Sequence, residues 1–188
     1  MPQSGDKRKQ LPYTTGHLLM ERQLYRTFIA FGGNLGDPAA TYAQAINYLA
    51  ELLGPVVASS SLFGTRALTL NGEVQPNYQN GAFEMLLSID PVKVLQQLLA
   101  VEKEFGRDRT NEPRWASRAI DLDLIFMGEQ VRELSDLTLP HPECYKRDFV
   151  LVPLCEIAPQ FKHPVLGETV TELERSLDAR GCERWIYS

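Results

Sequence analysis

The chain is poor in the features that staple or anchor a fold. Its three cysteines, Cys144, Cys155 and Cys182, form no Cys-x-x-Cys pair. This excludes a zinc ribbon or a disulfide framework and fits free thiols in a reducing compartment. No apolar run approaches the roughly eighteen residues of a membrane span, and Leu18-Leu19-Met20 is too brief a patch for a signal peptide. A cytoplasmic protein with no membrane role is expected. Basic charge is not in excess: 19 Lys and Arg stand against 24 Asp and Glu, for a net charge of −5. That balance argues against a general nucleic-acid or membrane-surface partner. The Walker lysine is also missing. Phe31-Gly-Gly-Asn-Leu-Gly36 is followed by no Gly-Lys-Ser/Thr, so this Gly-rich stretch reads either as a tight turn or as a short phosphate cradle.

What is present suffices for one core. With 188 residues and 44% hydrophobic content, one domain is expected over residues 27–188, preceded by a polar extension over 1–26 whose role the sequence does not give. Thr27 to Phe31 reads as a first strand ending at Gly32-Gly33. Asp37-Pro38 and Asp90-Pro91 each announce a helix, with Asp as N-cap and Pro in the first turn. The first helix runs to about Leu53. The second ends near Gly106, with Val92, Leu95, Leu98 and Leu99 expected in the core and Glu102 as an ordinary exposed acid. Val56 to Phe63 and Gly81 to Ile89 read as strands, the latter with Phe83, Met85, Leu87 and Ile89 on one face. Between them Gly64 to Asn80 forms a long polar loop, a type that is uncommon unless functional. Gln130 to Arg132 is expected to pair back on the strand before it. Val150 to Ile157 and Thr169 to Leu177 read as helices. The order strand-helix-strand-strand-helix-strand predicts an α+β fold: a ferredoxin-like split βαβ antiparallel sheet, made three-layered by helices on its second face.

The densest chemistry lies between Arg107 and Asp123. Arginines stand at 107, 109, 114 and 118 beside Trp115, and Asp121-Leu-Asp-Leu124 then alternates as a strand. Period-two geometry puts Asp121 and Asp123 on one face and Leu122 and Leu124 on the other. Paired carboxylates suit magnesium, which takes one or two of them and fills its shell with phosphate oxygens and water. The arginines upstream offer planar forks for phosphate. The plain alternative is the wet face of an edge strand beside a solvated loop, with His141, between two prolines, as a solvated loop histidine.

Arg114-Trp-Ala-Ser-Arg118-Ala-Ile-Asp121-Leu-Asp123-Leu-Ile125 resembles the signature of the 6-hydroxymethyl-7,8-dihydropterin pyrophosphokinases, a folate-pathway kinase family. Phe31 to Gly36, Gln75 to Ala82, Glu102 to Arg109, Leu139 to Pro142 and Arg147 to Phe149 resemble the same family in the right order. The resemblance implies ATP-dependent diphosphoryl transfer to the pterin hydroxymethyl group, with ATP as co-substrate and two magnesium ions on Asp121 and Asp123. It implies Arg107 and Arg118 as catalytic beside those aspartates. It implies Glu102, Arg107, Arg109, Arg114, Trp115, Arg118, Thr138, His141 and Arg147 around the nucleotide. It implies Thr65, Leu68, Tyr78, Asn80 and Phe149 around the pterin, the two aromatics sandwiching its ring. In that family the loop after Thr65 moves over the active site. Two departures stand out: Gly33 occupies a position that is usually serine, and Arg66-Ala67 replaces prolines. The partners expected are small molecules, with the protein a monomer or weak homodimer. The rival readings are a non-catalytic nucleotide- and pterin-binding relative of the same fold, and an RNA-binding ferredoxin-like domain. The acidic charge and the lack of an aromatic RNA-binding strand motif argue against the second.

Overall fold

A computed structural model describes residues 23–67, 75–107 and 117–180. Arg109, Arg114, Trp115 and Leu68 lie outside the described residues, as do the segment 1–22 and Trp185-Ile186. Strand β1 (Tyr25–Gly33) leads to helix α1 (Pro38–Leu53), then β2 (Val56–Ser59), β3 (Phe63–Thr65) and β4 (Tyr78–Leu87). Helix α2 (Pro91–Glu104) and strand β5 (Asp121–Met127) complete the unit. The spatial order β2-β4-β1-β5, antiparallel throughout, with β3 also paired to β4, is the split βαβ arrangement.

The alternation expected from the sequence sorts the core into two layers. Ile29, Phe31, Phe83, Met85, Leu122 and Leu124 pack against Tyr42, Ala45 and Leu49 of α1 and Val94, Leu98 and Val101 of α2. On the other face Phe28, Ala30, Ala82 and Ile125 meet Val150, Leu151 and Leu154 of α3 (Asp148–Ile157) and Val170 and Leu173 of α4 (Val170–Arg175). Three layers result. A register shift of β5 against β1 at Phe28/Ile29 places both Ile125 and Phe126 in the second layer. A bulge of this kind interrupts strict alternation.

Both Asp-Pro starts form as expected. Asp37 accepts from the Ala40 amide at 3.0 Å and Asp90 from Val92 at 2.9 Å. Other expectations are corrected. Gly32 and Gly33 do not end β1 but belong to it, paired with Asn80 and Gln79. A Cβ on Gly33 would stand 2.5 Å from the Ala119 carbonyl oxygen, so glycine here permits a close backbone approach rather than a turn. The second strand is two, β2 and β3, separated at Ser60, whose N–H donates to Ala82 O at 2.8 Å and whose Oγ accepts from Ala82 N at 2.9 Å. Strand β4 opens at Tyr78, so Tyr78 and Asn80 sit in the sheet and not in the loop. Leu99 is exposed, whereas Val94 and Val101 fill the core. The strand after Gly128 is β6 (Arg132–Glu133), and it pairs with β7 (Thr138–Leu139) rather than with β5. The outer edge of β5 is met instead by the following loop, where His141 N donates to Ile125 O at 3.0 Å. Among the described residues no helix is long and apolar enough to cross a membrane.

Candidate active site

One transverse row of the sheet carries much of the site. Asn80 of β4, Gly32 of β1 and Asp121 of β5 are register partners in line. A side chain on Gly32 would begin 3.3 Å from Asn80 Oδ1 and 3.9 Å from Asp121 Cβ. Glycine there keeps the narrow gap between the amide and the carboxylate free of a side chain. Two residues along each strand, Asp123 pairs with Ala30, another small residue. Asp121 and Asp123 are both half-buried, while Leu122 and Leu124 on the opposite face are buried.

Asp121 is not a bare carboxylate. Its Oδ1 accepts from Arg107 Nη1 and its Oδ2 from Arg118 Nη1 at 2.8 Å. Arg107 comes from just beyond α2, where its N–H donates to Glu102 O at 3.0 Å. Its Nη1 also meets Glu102 Oε1 at 2.6 Å. That same Oε1 accepts from the Leu122 amide at 2.7 Å. Glu102, an exposed acid by its helix pattern alone but a holder of the nucleotide-binding arginines under the resemblance, is only 1% exposed. It bolts the end of α2 to the start of β5 and aims Arg107 at Asp121. A buried acid survives there because its charge and its lone pairs are both met. Burial pushes the Tyr78 phenol up, the Arg118 guanidinium opposes this and the Asp121 carboxylate adds to it.

The second group of residues comes from the 138–149 segment. Thr138 is exposed on β7, at the entry to the His141 loop. Burial first, then the Arg147 guanidinium, depress His141 to about 4, with Glu143 and Asp121 pulling the other way. The ring is therefore neutral at pH 7. Its Nδ1 accepts from Glu143 N at 3.2 Å, which leaves the proton on Nε2. His141 is thus a hydrogen-bond donor in the free protein, not the cation that its grouping with the arginines suggests. Arg147 stands over the Phe149 ring at 5.7 Å, and Phe149 lies in the first turn of α3. Thr65 is buried and accepts from Asn80 Nδ2 at 2.9 Å, so two expected pterin residues are joined to each other.

Sequence reasoning missed Asn34. Its carboxamide accepts from Arg118 N at 2.8 Å and donates to Pro76 O at 3.0 Å and to Ser117 Oγ at 3.2 Å. Its place directly after Gly-Gly was the available signal, but only the glycines were read.

The donor set fits a hard cation and a polyphosphate. Among the described residues no cluster of three or more His, Cys, Asp or Glu forms a closed cage. Two carboxylates on one strand face match magnesium, which completes its shell from phosphate and water. Arg107 Nε is buried with no hydrogen-bond partner among the described residues, and such an orphaned donor matches a phosphate oxygen.

Comparison with known proteins follows the same line. Residues 28–159 match the family profile described as 7,8-dihydro-6-hydroxymethylpterin-pyrophosphokinase. A Synechocystis protein named 2-amino-4-hydroxy-6-hydroxymethyldihydropteridine pyrophosphokinase is 40% identical over 158 residues, covering 84% of this chain and 78% of that protein. A Dictyostelium discoideum folic acid synthesis protein is 31% identical over 154 residues, 82% of this chain and 23% of that protein. Among solved structures, Plasmodium falciparum HPPK-DHPS with pteroate superposes with a TM-score of 0.66 at 15% identity, which speaks for the fold. The superposition covers 85% of this chain and 43% of that one, so this chain spans under half its length.

Proposed function

This chain belongs to the 7,8-dihydro-6-hydroxymethylpterin-pyrophosphokinase family, and on that premise we propose that it transfers the diphosphoryl group of ATP to 6-hydroxymethyl-7,8-dihydropterin, releasing AMP, in folate synthesis. The observation that carries the reading is the Asp121 carboxylate held between Arg107 and Arg118, in register with Gly32 and Asn80. In-line transfer asks little covalent chemistry of a protein; it asks for alignment and for neutralisation of charge. The hydroxymethyl oxygen attacks the β-phosphorus, the bond from that phosphorus to the α-phosphate oxygen breaks to release AMP, and the hydroxyl proton is lost to solvent.

Asp121 and Asp123 are the residues to hold magnesium, two ions in this proposal, which when bound supply Lewis-acid neutralisation of the triphosphate. The chain's own groups do the remainder. Arg107 and Arg118, released from Asp121, turn their forks to phosphate oxygens, and Glu102 keeps Arg107 anchored meanwhile. His141 donates its Nε2 proton to a phosphate, and Arg147 adds charge beside it. Arg109, Arg114 and Trp115 extend the nucleotide side, with Thr138 at its margin. On the pterin side Tyr78 and Phe149 stack on the ring, an arrangement that suits flat heterocycles. Asn80 and Thr65 read its polar edge, and the family resemblance assigns Leu68 to the same ligand. The proposal extends to a cytoplasmic monomer or weak homodimer with one catalytic domain, whose start moves from the expected residue 27 back to Tyr25, where β1 begins.

Incubation with ATP, magnesium and 6-hydroxymethyl-7,8-dihydropterin is expected to yield AMP and the pterin diphosphate in equal amounts, and none with chelator. ADP with a pterin monophosphate would overturn β-phosphorus attack. Binding of both ligands without turnover would make the protein a non-catalytic relative.

A further inference from the structure

Asn34 is a polar side chain that the proposed chemistry leaves unused, and it is committed to chain segments far from its own. It is 5% exposed. Its Oδ1 accepts from Arg118 N at 2.8 Å, while its own backbone N donates to Arg118 O at 2.9 Å. Arg118 is therefore gripped at both its main-chain groups by one residue, and its carbonyl takes a second bond from Leu35 N at 3.2 Å. The Asn34 Nδ2 reaches the other way, to Pro76 O at 3.0 Å, with Ser117 Oγ at 3.2 Å as a further partner. Pro76 stands two residues before Tyr78, the first residue of β4. The side chains that these anchors position then act on each other: Arg118 Nη1 lies on Asp121 Oδ2 at 2.8 Å, and the Arg118 charge is felt by the Tyr78 phenol.

We propose that Asn34 is a positioning residue that fixes the main chain of Arg118 against that of Tyr78, so that the triphosphate side and the ring side of the site are held as one unit. The inference rests on the functional reading above for the roles of Arg118 and Tyr78. A carboxamide is the side chain this task needs. Its oxygen must accept from an amide while its nitrogen donates to a carbonyl, and no carboxylate or alkyl group does both. Gly33, next in the chain, lets the two backbones approach closely enough for the grip, since a Cβ there would meet Ala119 O at 2.5 Å.

The variants Asn34→Asp and Asn34→Ala separate the two arms. Aspartate keeps an acceptor for Arg118 N but sets a carboxylate against the Pro76 carbonyl, whereas alanine abandons both. Three quantities are to be measured on the full chain: Kd for magnesium α,β-methylene-ATP, Kd for 6-hydroxymethyl-7,8-dihydropterin in its presence, and kcat with KM. Melting temperature is followed in parallel. Asn34→Asp should keep nucleotide-analogue affinity within about threefold, yet lose about tenfold in pterin affinity and in kcat, as expected for one buried hydrogen bond. Asn34→Ala should lose about tenfold for both ligands, and Ser117→Ala should stay near wild type. Equal losses for Asp and Ala, or a lower melting temperature with both Kd values and kcat unchanged, would make Asn34 an ordinary structural residue and overturn the proposal. If the alanine variant does not fold, the split within Asn34→Asp alone decides. The two Kd values need no turnover. A wild-type protein that binds both ligands but releases no AMP would sink the functional reading and leave this comparison standing.

Discussion

Asp121 and His141 are the two residues whose replacement reads most directly on the chemistry, and their surroundings set opposite expectations. Because Glu102 still pairs with Arg107 when Asp121 is lost, Asp121→Asn should leave the fold within about 1 kcal/mol of wild type. Its kcat should fall by about 10²–10³, the scale for removing one electrostatic stabiliser of a transition state. Near-normal turnover with magnesium would refute the metal assignment, and failure to fold would make the aspartate structural. His141 is a matter of pH. Its folded pKa lies at about 4, below the ordinary 6.5, so between those values the unfolded chain binds a proton that the folded one refuses. Stability from this group is full above about pH 6.5 and is lost as pH falls through that window towards 4. The amount is on the order of 2–3 kcal/mol. Denaturant melts of wild type and His141→Gln should converge as pH falls from 7 to 4. Parallel curves would show that the ring is not held neutral.

At the scale of elements, the contact between the end of β1 and the 117–119 segment is the most demanding. A side chain on Gly33 points at the Ala119 carbonyl, not at open space. Gly33→Ser should therefore destabilise by about 1–3 kcal/mol, the usual range for overpacking, lowering Tm by roughly 2–4 °C per kcal/mol. It should also weaken nucleotide-analogue binding through Arg118. An unchanged melt would show that the backbones part easily. This contact also shows where sequence reading stops. The helices α1 and α2 were legible because Asp-Pro caps are local, and the face of β5 because alternation is local. Gly32-Gly33 looked like a terminator because glycine's use in a close approach depends on a partner 86 residues away in sequence. Tyr78 and Asn80 looked like loop for a related reason: site residues in a sheet are polar where core residues would be apolar. Glu102 looked exposed because the Leu122 amide and Arg107 that satisfy it are absent from its helix pattern. Asn34 was invisible because its partners Pro76 and Arg118 are far along the chain.

For the molecule as a whole, the start of β1 sets the limit of safe truncation. The strand begins at Tyr25, and Arg26 Nη2 meets the buried Glu84 Oε2 at 2.9 Å while its guanidinium lies over Phe28 and Phe161. Deleting residues 1–22 should leave pyrophosphokinase activity intact, whereas deleting 1–26, which cuts into β1, should lower Tm by several degrees. A large loss from the shorter deletion would show that the extension belongs to the folded unit. The sheet itself ends in two unlike margins. On one side β2 and β3 are short and broken apart at Ser60, with a further register shift between Val56 and Ala58; on the other, the His141 amide occupies the Ile125 carbonyl. Among the described residues each margin is interrupted at these points, and uninterrupted rows of free amides and carbonyls are what seed aggregation in sheet proteins. The loop that carries His141 thus has a second consequence: with its amide on the Ile125 carbonyl it interrupts the open row along that edge of the sheet, where a foreign strand would otherwise add in register.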